Sequence, residues 1–170
     1  DHQGEKREPK TESSEALSMA ETVRDAIKGR KIEFIIGNGF NAKAINSLKT
    51  ELESEGAVVE IIAPALAPVK GDDGSVITPK HSLTSIASVC FDALFIGDGE
   101  ESAKELLTSE NKHLTLHFVN EAYKHCKAIY FGSGTENIYK KSNVSDKEHE
   151  DPAIVVSEDQ KPEKKFMDAI

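Results

Sequence analysis

From Lys31 onward, short apolar runs alternate with stretches whose apolar positions recur every three or four residues. Ile32-Glu33-Phe34-Ile35-Ile36, Val58-Val59-Glu60-Ile61-Ile62, Asp92-Ala93-Leu94-Phe95-Ile96 and Ala128-Ile129-Tyr130-Phe131 read as buried strands, rich in β-branched and aromatic residues. Ala153-Ile154-Val155-Val156 predicts a fifth. Between strands, Ala42, Ile45, Leu48 and Leu52 share a helical face over 41–55, with Gly56 ending the helix. Leu116, Val119, Ala122, Tyr123 and Cys126 share another face over 114–126. Shorter helices are expected over 81–90, 101–107 and 161–170, and Asp73-Gly74 predicts a turn before Val76-Ile77. Residues 140–151 read as a polar stretch. Within it, Asn143-Val144-Ser145 fits the N-glycosylation pattern, which matters only in a secreted protein.

Apolar strands separated by helices require parallel pairing with helices on both faces. Right-handed crossovers then give an α/β fold, a three-layer doubly wound parallel sheet, for which we expect the flavodoxin-like order 2-1-3-4-5. Upstream, residues 1–14 contain no hydrophobic residue and read as a linker. Residues 15–28 place Ala16, Leu17, Ala20, Val23 and Ile27 on one stripe, with Ser14 as N-cap and Gly29 just past the end. The expected division is a linker with a short amphipathic helix over 1–30 and one domain over 31–170.

Composition narrows the partners. The 170 residues, 38% hydrophobic, suffice for one domain with a core. A formal charge of −9, from 30 acidic against 21 basic residues, argues against non-specific nucleic-acid and anionic-membrane binding. No apolar run approaches the ~18 residues of a membrane span. Two Cys without a CxxC or a Cys/His cluster speak against a disulfide scaffold and a structural zinc site, and no metal site is expected. The chain opens Asp1-His2-Gln3-Gly4 rather than with Met, which points to a fragment or processed product.

Candidate chemistry falls at the carboxyl ends of the strands, where such sheets bind ligands. Gly37-Asn38-Gly39-Phe40-Asn41-Ala42 matches G-x-G-x-x-A between strand and helix, and Glu60 lies about where a ribose-binding acid would fall. Against a dinucleotide, Glu60 sits inside its strand and Phe40 puts a bulky group beside the turn; the plainer alternative is a tight turn with glycines at positive φ. Gly132-Ser133-Gly134-Thr135 could cradle an anion, or present Ser133 as a nucleophile, but no His is close in sequence to serve as its base. Cys126 and Cys90 read as core residues, and His125 beside Cys126 forms no dyad, since adjacent helical residues point apart. His113 and His117 are two possible ligands without a third. Asp98, Glu100 and Glu101 read as turn residues and favourable charge at a helix start.

Several spaced stretches carry a resemblance. Ser14-Glu15-Ala16-Leu17-Ser18-Met19, Ile27-Lys28-Gly29-Arg30-Lys31-Ile32 and Gly37-Asn38-Gly39 resemble the junction and first strand of the C-terminal domain of large-subunit catalases. The run Ser85–Ile96 and the end Lys164-Lys165-Phe166-Met167-Asp168-Ala169-Ile170 resemble the same family, so the likeness covers most of 14–170. The polar linker is similar to that of large fungal-type catalases. The resemblance implies a fold like class I glutamine amidotransferases and the DJ-1/PfpI group. It also implies a haem-carrying core outside these residues, so no cofactor is expected in this chain. Enzymes of the DJ-1/PfpI group need a Cys at the elbow, where this chain has Gly132. They also need an acid after the first strand, where it reads Gly39-Phe40-Asn41. Their chemistry is therefore not implied. The chain stops at Ile170 inside a helix, where family members often continue.

The leading expectation is a non-catalytic accessory domain of a catalase that converts hydrogen peroxide to water and oxygen. Its implied partners are the catalase core and neighbouring subunits of a homotetramer. A second expectation is a holdase for unfolded client proteins, with Leu17, Val23, Ile27, Phe166, Met167 and Ile170 as patch residues. A third is an independent DJ-1/PfpI-like enzyme or dinucleotide binder using Gly37, Gly39 and Glu60, or Gly132, Ser133 and Gly134.

Overall fold

The structure is a computed structural model that describes residues 27–146 and 151–170. Its strands are β1 (Lys31–Ile35), β2 (Val58–Ala63), β3 (Val69–Lys70), β4 (Val76–Ile77), β5 (His81–Ser82), β6 (Ala93–Ile96), β7 (Ala128–Phe131) and β8 (Ile154–Val156). Its helices are α1 (Ala42–Ser54), α2 (Glu100–Leu106), α3 (Lys112–Lys124), α4 (Glu136–Lys141) and α5 (Pro162–Ala169). The main sheet is parallel, in the order β5-β2-β1-β6-β7-β8. The expected five-strand order holds, with the two-residue β5 added at the β2 edge. None of the described helices is long and apolar enough to cross a membrane.

Strand alternation divides the core. Ile32 and Phe34 of β1 point to one face with α1 and α5, where Ile45, Leu48, Leu52 and Phe166 are buried. Ile35 points to the other with α2, α3 and α4, burying Ala103, Leu106, Phe118, Val119 and Ile138. On the first face the rings of Phe34, Phe95, Tyr130 and Phe166 touch in sequence, at centroid separations of 4.8, 4.8 and 5.6 Å. They tie β1, β6 and β7 to α5. The chain leaves β1 toward β2 and leaves β6 toward β7, in opposite directions, so right-handed crossovers put α1 and α3 on opposite faces. The switch point lies between β1 and β6.

Residues 81–90 are not a helix. They form β5, a turn and a 3-10 turn over Ser88–Cys90. The Ser82 N–H donates to Ser85 Oγ at 2.8 Å, and the Ser85 hydroxyl lies 3.2 Å from Ser82 O, so serine side chains replace the helical hydrogen bonds. Helix α4 ends two residues into the polar stretch expected over 140–151. It buries only Ile138, too little to show a period. The amphipathic helix expected over 15–28 lies outside the described residues except for Ile27 and Lys28. Ile27 and Phe166 are core residues, 9% and 0% exposed, so neither belongs to an exposed patch.

The cysteines also depart from expectation, since Cys90 and Cys126 are both exposed. Helix α3 ends at Lys124, and Cys126 turns out of the stripe in the left-handed region at φ 55°. The Cys126 and Lys127 N–H groups donate to Tyr123 O and Ala122 O at 2.9 and 3.0 Å, a Schellman closure. Helix α1 closes the same way with Gly56 at φ 87°; Gly56 and Ala57 donate to Glu53 O and Leu52 O at 3.0 and 3.1 Å. One helix thus carries glycine where the other forces a side chain into left-handed backbone. Cys126→Gly is expected to raise unfolding stability by about 1 kcal/mol and Gly56→Ala to lower it by at least as much, read from urea midpoints at constant m.

Candidate functional site

At the switch point the loop after β1 is closed by its own protein. The Gly37 N–H donates to Ser102 Oγ at 2.7 Å. The Asn38 N–H donates to the Glu105 carboxylate, whose other oxygen accepts from Asn38 Nδ2 at 2.9 Å. The Gly39 N–H donates to Lys70 O at 2.8 Å, and that of Asn41 to Asp98 O at 2.8 Å. At the start of α1, the Ala42 N–H meets Asp72 Oδ1 at 3.1 Å, and Asn41 Oδ1 caps Ala44 N–H at 3.0 Å. These are the donors a pyrophosphate would need, and the Glu105 carboxylate stands at the loop in its place. Phe40 is fully buried, and a Cβ on Gly71 would meet its ring at 3.0 Å. Gly39 has φ 84°, and a Cβ there would meet Glu101 Cβ at 2.6 Å. The carboxylate of Glu60 has Lys31, Lys80, His81 and Glu33 as partners, none of them in this loop.

The loops after β6 and β7 interlock. The Gly99 N–H donates to Ser133 O, and that of Gly132 to Ile96 O, both at 2.9 Å. The Gly134 N–H donates to Glu136 Oε1 at 3.1 Å, and the Thr135 hydroxyl to Gly132 O at 2.6 Å. Ser133 is exposed, and its Oγ has no hydrogen-bond partner among the described residues. The described histidines lie elsewhere: His81 at β5, His113 and His117 stacked at 6.4 Å on α3, and His125 with Nδ1 2.6 Å from Ser88 Oγ. Gly132 is the decisive position. A Cβ there would fall within contact distance of Asp98 Oδ1 and 2.8 Å from both Asp98 N and Ile96 O. The Asp98 carboxylate thus occupies the space that an elbow side chain would need.

Asp98, Asn41, Lys43, Tyr130 and Glu163 border an open cavity of about 250 Å3 beside this elbow. Burial pushes the Asp98 carboxyl up to about 6; the Ser133 backbone pulls it down, and the Glu163 charge pushes it up. Asp98 Oδ1 has no hydrogen-bond partner among the described residues. Burial, then the charges of Glu163, Asp98, Asp159 and Glu158, keep the Tyr130 phenol protonated.

A second polar cluster lies inside the sheet, where the sequence shows only a single charged residue within each of two apolar runs. Glu33 of β1 is in register with Glu60 of β2, and parallel register puts both side chains on one face. Glu33 is 0% exposed and Glu60 5%. Burial, then the hydrogen bond and negative charge of Glu60, push the Glu33 carboxyl up to about 8, against the pull of Lys31 and Lys80. Burial pushes Glu60 up as well, but hydrogen bonds from Lys80, Glu33 and His81 and the Lys31 charge outweigh it and hold that carboxyl well below its usual range. The pair therefore keeps one proton between them at neutral pH.

With fold and site in view, the chain's relatives can be placed. Residues 28–170 match the family model of the C-terminal domain found in long catalases. The chain belongs to that family. It is 28% identical over 148 residues to "Catalase HPII" of Pseudomonas aeruginosa, covering 87% of this chain and 20% of the relative. It is 30% identical over 152 residues to "Catalase-1" of Neurospora crassa, covering 85% and 20%. The chain thus spans about a fifth of the length of the relatives it matches. Among solved structures, oxidised DJ-1 of Toxoplasma gondii superposes with a TM-score of 0.63 at 14% identity, over 83% of this chain and 87% of that one. The VC2308 protein gives 0.59 at 18%, over 68% and 60%. These two likenesses carry the fold alone. They agree with the α/β sheet expected from the pattern.

For this catalase domain, two outcomes follow from the geometry. Gly132→Ala is expected to lower stability by about 1–3 kcal/mol by overpacking. Adding Asp98→Gly should recover only part of the loss, because the main chain of 96–98 still crowds the new methyl. A double-mutant cycle in urea reads both.

The second outcome concerns pH. The folded Glu33 carboxyl titrates near pH 8 against 4.5 in the unfolded chain, so the folded state holds an extra proton between these values. Stability must therefore fall as pH rises through that window. The opposite contribution of Glu60 is lost only on acidification below its unfolded value, outside the window. Asp98 adds a decline of its own at lower pH, shared by both proteins compared. Glu33→Gln should match the parent near pH ~5, lack the later decline and exceed the parent above pH ~8. Thermal unfolding in chelator-containing buffer across this range reads the difference.

Proposed function

We propose that this chain is a non-catalytic accessory domain, 31–170, joined by a linker over 1–30 to a haem catalase core. It adds subunit contacts and resistance to denaturation to the homotetramer. The parent would decompose hydrogen peroxide to water and oxygen. Family membership over residues 28–170 supports the attachment. The observation that carries the rest is the elbow, where the Asp98 carboxylate fills the space that a reactive side chain at Gly132 would take. An extra folded layer acts through area, at ~25 cal/mol per Å2 of apolar surface buried against its neighbours. Linkage then favours the assembled state.

The described residues do not fit a haem at the strand-end cavity. Among the described residues no His or Cys lines that cavity, and burial and the surrounding acidic charges make Tyr130, the one phenol there, costly to ionise as an iron ligand. In this reading haem is held entirely by the core. A holdase has less support. Among the described residues the exposed large hydrophobics Val58, Leu66, Val76 and Val89 fall on four separate segments, and Ile27 and Phe166 are buried.

Deleting 31–170 from the full-length parent tests the proposal. Turnover per haem should stay within about twofold, while the half-life of the tetramer at elevated temperature should shorten by about tenfold or more. Lost turnover with an intact tetramer in sedimentation would overturn it. So would peroxide or ester turnover by the isolated chain that disappears in Ser133→Ala or Asp98→Asn.

A further inference from the structure

We propose that Glu33, Glu60 and His81 form a binding site for one divalent cation of the zinc class, bridging β1, β2 and β5. The parallel ladders bring the three together. Glu33 is opposite Glu60, and His81 is next to β2 through the Ile62–His81 pair. One oxygen of each carboxylate and one ring nitrogen of His81 all lie within 4.8 Å of one another. Glu60 Oε2 and His81 Nε2 are 2.8 Å apart. Bonds of ~2.0–2.2 Å in tetrahedral array separate ligand atoms by roughly 3.3–3.6 Å, so an ion would replace the present Glu60–His81 hydrogen bond, with Nε2 giving up its proton and the two atoms parting by about half an ångström.

An independent feature points to a ligand. Glu33 is fully buried, and apart from the proton it shares with Glu60 neither of its carboxyl oxygens has a hydrogen-bond partner among the described residues, so at least one oxygen is left orphaned. Buried polar groups are seldom left so. One Glu33 oxygen lies within 4.8 Å of the Glu60 and His81 atoms that would complete the set. Lys80 does not block it, because its Nζ bonds Glu60 Oε1 and leaves Oε2 turned to His81. Lys80 would hold the ligating carboxylate from behind, the usual role of an outer partner. Lys31 Nζ stands 3.8 Å from the same Oε1. The His81 side chain, 25% exposed on an edge strand, leaves a path from solvent. Two carboxylates and a neutral imidazole balance a doubly charged ion, and their mixed O,O,N donors suit zinc, cobalt or manganese. Three protein ligands leave a fourth position for water. Bound there, the ion would pin β5, which is only two residues long, to the centre of the sheet.

Zinc sulfate is the probe, titrated by calorimetry into the chelator-treated 170-residue chain. Binding of a single equivalent with a dissociation constant in the micromolar range or below is expected. Glu33→Gln, which keeps shape and removes only the ligating charge, should weaken it by roughly tenfold or more, as should His81→Ala. His113→Ala, which removes half of the surface histidine pair, should leave it unchanged. Should His81→Ala fail to fold, Glu33→Gln alone decides. Cobalt should bind with visible d–d bands of a low-symmetry site, and those bands should vanish in Glu33→Gln. The proposal falls if no binding is seen up to millimolar zinc, if binding survives Glu33→Gln, or if it disappears in His113→Ala.

Discussion

A parallel sheet with helices on both faces shuts its central strands off from water along their whole length. Every side chain of β6 and β7 is buried here, and in β1 only the first residue is partly exposed. Two consequences follow. A polar group within these strands must find its partner inside the protein. Groups that act on a solute can stand only at strand ends, where the chain turns out of the sheet. Both meet in the run 31–39, which holds the buried Glu33 and then the glycine loop.

At the strand ends the domain spends its donors on itself. Loop 37–41 bonds to α2, to the β3–β4 hairpin and to Asp98, and the Gly99 and Gly132 amides bond across to Ser133 and Ile96. Each bond would lose its partner if a ligand arrived, and a new ligand must outdo bonds already made. The acidic groups at this end, Asp98, Glu100, Glu101, Glu105 and Glu163, further disfavour anions. A pocket built this way holds loops together, which supports reading the module as one that works through its outer surface.

Most of the architecture was legible because burial on two sides forces continuous apolar runs. The runs ending at Ile36, Ile62, Ile96, Phe131 and Val156 each mark a real strand. Strand β5 was not legible, since two residues of edge pairing leave no pattern. Residues 81–90 looked helical because serine side-chain bonds cannot be read from spacing. Cys126 looked like core because helical periodicity was carried two residues past Lys124, and nothing local announces a left-handed closure without glycine. The glycine loops were legible as turns, but the amides of the first loop find side-chain partners 30 to 67 residues away. Glu33 and Glu60 stood in plain view as charges within strands. What made them a pair was the β1–β2 register, a tertiary fact.

That pair poses a choice the fold must resolve. Two carboxylates side by side on a covered face cannot both stay ionised without a balancing charge. Lys80 and Lys31 supply positive charge directly to one oxygen of Glu60 and pull on Glu33 only from farther off. A proton on Glu33 satisfies one oxygen and makes a hydrogen bond along the line between β1 and β2. A divalent cation satisfies the same oxygen and also reaches His81, so it binds a third strand that a proton leaves to its own two-residue ladder. Proton and cation therefore compete for one position but differ in what they hold. The difference shows at the β5 edge, where the ladder to β2 is only two register pairs long.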